Sequence, residues 1–185
     1  MAFFLLILSQ GALLSAEPLP DPMAGVTQDW QLCTHPDDAA KSCRVMASFK
    51  KVGADRYTEI DQMIVMGLPG LVIEVPSEAY VKEGKLCSVP RRRDFERLRV
   101  IQHVEGATPQ QESAALKRIE FAYPIEGKEV CGQFYPDGDR FRIDLWVNGQ
   151  QRANLETPAR WVHKDDGYSV SGWRGAITTP QAASH

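Results

Sequence analysis

The chain of 185 residues is long enough for one domain, and 43% hydrophobic with 24% charged residues is the composition of a globular protein with a real core. Its formal net charge of −3, from 21 Lys and Arg against 24 Asp and Glu, excludes the basic balance of a nucleic-acid binder and the charge excess of a strongly acidic chain.

Residues 1–16 carry no charged side chain. Phe3 to Leu8 form an apolar run, Gly11 to Leu14 extend it, and Ser15-Ala16 place small residues before Glu17-Pro18-Leu19-Pro20. This pattern predicts a signal peptide over 1–16. The run is too short for the about 20 apolar residues of a membrane-spanning helix, so no transmembrane segment is expected after cleavage. No Lys or Arg precedes the run, and Leu14 is large for its place near the cut, so a buried N-terminal strand or helix is the alternative. No Cys follows the cut, which argues against a lipid anchor.

Pro18, Pro20 and Pro22 predict an extended arm over 17–28. A single β-rich domain is expected over 29–175 and a disordered tail over 176–185. The domain opens with a short strand at Trp30 to Cys33. Cys43 to Phe49 and Tyr57 to Met66 form a strand pair joined across Gly53, and Leu71 to Val75 is bounded by Pro69-Gly70 and Pro76. Arg97 to Val104 reads as a further strand. Thr108-Pro109-Gln110-Gln111 has the form of a helix N-terminus, with Ala115, Leu116, Ile119 and Ala122 at helical spacing, so one helix is predicted near 109–122, stopping before Tyr123-Pro124.

The clearest strand is Arg140 to Val147. Phe141, Ile143, Leu145 and Val147 alternate with Arg140, Arg142, Asp144 and Trp146, between the turn signals Asp137-Gly138 and Asn148-Gly149. It is expected to form a meander with Val130 to Tyr135 and Gln150 to Glu156, followed by a hairpin of Trp161-Val162 with Tyr168 to Trp173. The predicted fold is mainly β: an antiparallel sandwich or partly closed barrel with one helix and two disulfides.

Cys33, Cys43, Cys87 and Cys131 are even in number, and none lies in a C-x-x-C spacing, which favours disulfides over a zinc or thioredoxin-like site. Three pairings are open. Cys33–Cys43, closing the polar loop Thr34 to Ser42, with Cys87–Cys131 tying the middle of the chain to its second half, is preferred. Together with the leader this points to a periplasmic or secreted protein.

Five arginines in nine residues, Arg91-Arg92-Arg93-Asp94-Phe95-Glu96-Arg97-Leu98-Arg99, give a local charge of +3 and suit an anionic partner. The same run also reads as a solvated strand edge whose arginines pair with Asp94, Glu96 and other acids. Trp146, on the polar face of its strand, suits stacking on a sugar or a partner side chain. Arg91, Arg92, Arg93, Arg97 and Trp146 are therefore the candidate ligand or partner-binding residues.

His35-Pro36-Asp37-Asp38 and His163-Lys164-Asp165-Asp166 each set a His beside two carboxylates, without a defined ligand spacing, and both read more simply as polar turns. Asp137-Gly138-Asp139 opens like a calcium loop, but Phe141 stands where a third oxygen ligand is needed. Gly-x-Ser-x-Gly, Ser-x-x-Lys and glycine-rich phosphate loops are absent, and Glu74, Asp144 and Glu156 have no spacing of an acid/base pair. No catalytic residue, metal or cofactor is assigned.

Trp30-Gln31-Leu32-Cys33, a polar gap, Cys43 before a strand, and later Leu71 to Val75 resemble the start of the invasion-associated locus B family. The resemblance covers the N-terminal third. It implies a small exported β-sandwich protein of the bacterial cell envelope, and it carries no catalytic residue across. The first expectation is a non-enzymatic binding or interaction protein of the envelope that contacts an anionic envelope component or a protein partner, with no nucleic acid. The alternatives are an envelope hydrolase using dispersed His (His103 or His163) and carboxylate groups, and a structural assembly subunit.

Overall fold

The structure, a computed structural model, describes residues 17–65, 68, 70–122 and 126–171. The predicted leader, Met66, Pro69, the helix stop at Tyr123-Pro124, Trp173 and the tail over 176–185 lie outside the described residues. The strands are β1 (Trp30–Thr34), β2 (Ser42–Cys43), β3 (Val45–Lys51), β4 (Arg56–Ile64), β5 (Val72–Lys82), β6 (Lys85–Ser88), β7 (Arg99–Gln102), β8 (Val130–Asp137), β9 (Arg140–Val147), β10 (Gln150–Gln151), β11 (Thr157–His163) and β12 (Ser169–Val170). The helices are α1 (Arg92–Phe95) and α2 (Pro109–Ala122), with a 3-10 turn at Lys164–Asp166.

The main sheet closes on itself. Its ring runs β9, β11, β1, β3, β4, β5, β6, β8 and back to β9, every neighbouring pair antiparallel. Of the two predicted architectures the barrel is therefore the one formed, and it is fully closed, because β8 pairs with β9 from Val130↔Val147 to Asp137↔Arg140. Closure removes the unpaired strand edges that an open sheet would expose.

Local chemistry accounts for the elements. The β8–β9 hairpin turns at Gly138 (φ +63°), and β9 ends at Asn148-Gly149, both with positive φ (+48° and +74°), as a two-residue primed turn requires. Helix α2 starts on the predicted box: Thr108 Oγ1 accepts from Gln111 N at 3.3 Å, and Gln111 Oε1 accepts from Thr108 N at 2.8 Å. Both disulfides of the preferred pairing are formed, Cys33–Cys43 and Cys87–Cys131.

Four expectations are corrected. Strand β5 runs through Pro76 to Lys82 rather than stopping at Val75. Pro76 falls between the stretch of β5 paired with β7 (Val72 to Glu74) and the stretch paired with β6 (Ala79 to Lys82), where a missing N–H interrupts no ladder on that edge. A second helix, the single turn α1, precedes β7; Asp94 holds it by accepting from Arg91 N at 2.9 Å and from Arg97 Nη2 at 3.1 Å. The strand expected over Gln150 to Glu156 is only β10, two residues long. Tyr168 to Val170 does not return on β11: after the 3-10 turn, which ends at Gly167 (φ +77°), β12 pairs in parallel with β2.

Alternation sorts the side chains into an inner and an outer set. At one end of the barrel, inward-facing Phe49, Tyr57, Ala79 and Phe134 pack with Leu19, Met23 and Val26 of the N-terminal segment. Residues 17–28, read from the sequence as an extended arm, thus turn over 22–25 and bury Met23 against the barrel, and Leu19 N donates to Phe134 O at 2.8 Å. At the other end, Met63, Val65, Leu71, Ile73 and Val75 pack under Phe95, Leu98, Ala115 and Leu116 from α1, α2 and the segment joining α1 to β7. The Cys33–Cys43 bridge lies outside the wall, in a cluster with Met46, Val72, Val162 and Val170. Among the described residues no helix is long and apolar enough to cross a membrane.

Candidate functional site

Between the two packed ends the lumen is hollow. A cavity of about 420 Å³ is lined by Leu32, Ala47, Ala79, Leu86, Phe134, Ile143 and Leu145, with Thr34, His35, Arg44, Ser88 and Thr157 toward one side. Eight-stranded barrels have interiors that side chains just fill or that hold one small ligand. Here the wall residues are too small to fill it: Ala47 on β3, Ala79 on β5 and Gly132 on β8 all face inward. A Cβ at Gly132 would stand 2.9 Å from Ile143 Cγ2, so the glycine permits close approach of β9.

Two carboxyl groups break this apolar wall. Glu59 and Asp61 are two residues apart on β4 and both point into the lumen, with Ser77 opposite Glu59 and Val75 opposite Asp61 on β5. Ser77 Oγ donates to Glu59 Oε2 at 2.7 Å. Asp61 has no side-chain hydrogen bond to any described residue, and both acids are half-buried in the cavity lining. Burial raises Glu59 above the usual carboxylate range, opposed by the Ser77 bond; burial and then the neighbouring Glu59 charge raise Asp61 well above it.

At the side of the lumen where β1 ends, His35 has a positive φ (+49°) and a buried Nδ1 without a hydrogen-bond partner. Burial, followed by the Arg44 guanidinium, lowers its pKa, which favours the neutral imidazole. Arg44 is exposed at the rim. The loop carrying His35 is fastened outside the barrel by Asp38, which accepts from Arg140 Nη2 at 2.5 Å, from Arg160 Nη1 at 2.9 Å and from the Tyr168 hydroxyl. The Tyr168 bond and then the Arg140 contacts hold the Asp38 carboxyl at about 2.

The residues singled out from the sequence lie elsewhere. Arg91, Arg92, Arg93 and Arg97 sit on and beside α1, outside the lumen, and each faces a carboxylate: Arg91 and Arg93 face Glu78 at 3.6 Å, Arg92 faces Glu96 at 3.6 Å, and Arg97 faces Asp94 at 3.1 Å. Trp146 is on the outer face of β9 as its alternation predicts, but half-buried; Lys85 Nζ lies 4.9 Å from its ring centroid, and its Nε1 is buried without a partner. The turn acids are engaged locally: Asp37 Oδ1 accepts from Ala39 N and Ala40 N, and His163 with Asp166 caps the 3-10 turn. His103 pairs with Glu112 at 2.7 Å, fastening the end of β7 to α2. Among the described residues no group of three or more His, Cys, Asp or Glu gathers as a metal-ligand set.

Sequence reasoning passed over Glu59, Asp61, Ser77 and Arg44. The one available signal was two acids at i and i+2 on a predicted strand, which is also the pattern of a solvated face. Compared with known family models, curated proteins and solved structures, the chain matches none.

Proposed function

We propose that the protein is an exported, non-enzymatic binding protein that carries a small, mainly apolar molecule inside its barrel. The observation that carries this reading is the lumenal cavity of about 420 Å³, apolar in its walls and with two carboxyls converging on it from β4. Ligand sites have this form: apolar enclosure of roughly 300–1,000 Å³ with a few placed polar groups. The unpartnered, buried His35 Nδ1 supports it, since buried polar atoms ordinarily find partners and a ligand would supply one; the half-buried Asp61 carboxyl, which lines the cavity, supports it as a second polar group there. Export is supported by the two disulfides, which persist in oxidising compartments, and by the leader pattern of the sequence.

The arginine turn supports binding less well, because its guanidinium groups already face Glu78, Glu96 and Asp94. A hydrolase needs acid and base flanking a bond, whereas Glu59 and Asp61 reach the lumen from the same wall.

The test is titration of the disulfide-intact chain with the neutral fluorophore N-phenyl-1-naphthylamine. Saturable binding is expected, and it is lost in Gly132→Leu or Ala47→Leu, which fill the lumen. Equal binding by a folded filled variant would place the ligand elsewhere.

A further inference from the structure

The chemistry of the lumen narrows the ligand class, an inference that rests on the lumenal reading above. The charged or titratable side chains lining the cavity are Glu59, Asp61, His35 and Arg44. Arg44 is exposed at the rim and His35 stands beside it, so the charge inside the wall is acidic. Glu59 has one oxygen engaged by Ser77, from β5; the inward partners on β3 (Phe49 opposite Glu59 and Ala47 opposite Asp61) and Val75 on β5 are apolar. Asp61 lines the cavity and has no hydrogen-bond donor among the described residues.

We propose that the lumen takes an amphiphilic amine, a molecule with an apolar body and a protonated amino head, and that the head is seated on the Glu59–Asp61 pair.

Two neighbouring carboxyls in an apolar enclosure cannot both ionise at little cost, so burial and their mutual repulsion favour a retained proton on the empty pair. An ammonium brings up to three donors and one positive charge, which satisfies Asp61, shares Glu59 with Ser77 and allows the pair to ionise fully. Loading then releases the retained proton to solvent. A carboxylate head would add a further negative charge beside the acidic wall, opposed only by Arg44 at the rim. An alcohol head can bond to one carboxyl but leaves the pair's charge unbalanced.

The test is displacement of bound N-phenyl-1-naphthylamine by octylamine, octanol and octanoate at pH 7, on the disulfide-intact wild type, Asp61→Asn and Glu59→Gln. Octylamine is expected to displace the probe at about tenfold lower concentration than octanol, the fold-change expected of one net charge-assisted hydrogen bond, with octanoate weakest. Calorimetry in two buffers of different ionisation enthalpy should show proton release on octylamine binding and none with octanol. Asp61→Asn should abolish both the preference and the proton release. Octanol or octanoate matching octylamine on the wild type, or an amine preference intact in both variants, overturns the proposal while leaving the lumen a binding site. A wild-type chain that binds neither the probe nor any octyl compound overturns the lumenal reading and this proposal with it.

Discussion

Replacing Asp61 by Asn tests the lumen without any ligand. The native carboxyl is raised above its ordinary range by burial and by Glu59, so between the unfolded and native values the folded state binds more protons than the unfolded one. Stability then falls as pH rises through that window, by at most about 1.4 kcal/mol per pH unit for one proton, and the loss is complete above the native value. Asparagine has nearly the same shape and no charge. At pH 4, where the wild-type group is neutral in the fold, Asp61→Asn should match the wild type within about 1 kcal/mol. At pH 8 it should be the more stable, by up to about 1.4 kcal/mol for each pH unit between the unfolded and native values, the cost of ionising a buried carboxyl that Asn does not carry. Carboxyls that are lowered in the fold act in the opposite sense and in a different window. Asp38, held at about 2, contributes stability above its unfolded value that is lost as pH falls through 2, so it does not mask the effect at pH 4–8. The assay is urea unfolding with both disulfides intact at each pH, compared at equal m-value. A variant less stable than the wild type at pH 8, or a wild type whose stability does not fall relative to the variant from pH 4 to 8, would refute a desolvated, unpaired Asp61.

Two further outcomes are expected. Removing Cys87–Cys131, which spans 44 positions, should cost about 4 kcal/mol, against about 3 kcal/mol for Cys33–Cys43, which spans 10, by loop entropy; calorimetry or urea unfolding of the paired Cys→Ser variants that gave the reverse order would refute that account. Arg91→Ala/Arg92→Ala/Arg93→Ala breaks exposed pairs with Glu78 and Glu96 and should change stability by no more than about 1 kcal/mol for each pair. Earlier elution of that variant from a heparin column would show that the turn contributes an anion-binding surface, and unchanged retention would remove that role from it.

What the sequence determined by itself was the inventory: a mainly β chain, the capped helix over 109–122, the strand over 140–147 with its inner and outer faces, and two disulfides. Those were legible because each depends on local chemistry. A capping box, a two-residue turn and a strict apolar alternation specify conformation within a few residues. On β9 the alternation also named the correct inner face, since Phe141, Ile143 and Leu145 pack into the barrel. Strand β4 shows where this stops. Its apolar Ile60 and Ile64 lie on the outside of the wall, and Tyr57, Glu59, Asp61 and Met63 point inward, so polarity alone would turn the strand the wrong way. Its facing is set by register, Ala47↔Asp61 with β3 and Asp61↔Val75 with β5, and one face of a strand cannot be chosen without its partners. Closure by the pairing of β8 with β9 and with β6, the docking of residues 17–28 at one end, and the hollow left by Ala47, Ala79 and Gly132 likewise join segments distant in the chain. The candidate site exists only where those segments meet, which is why tertiary structure alone decided it.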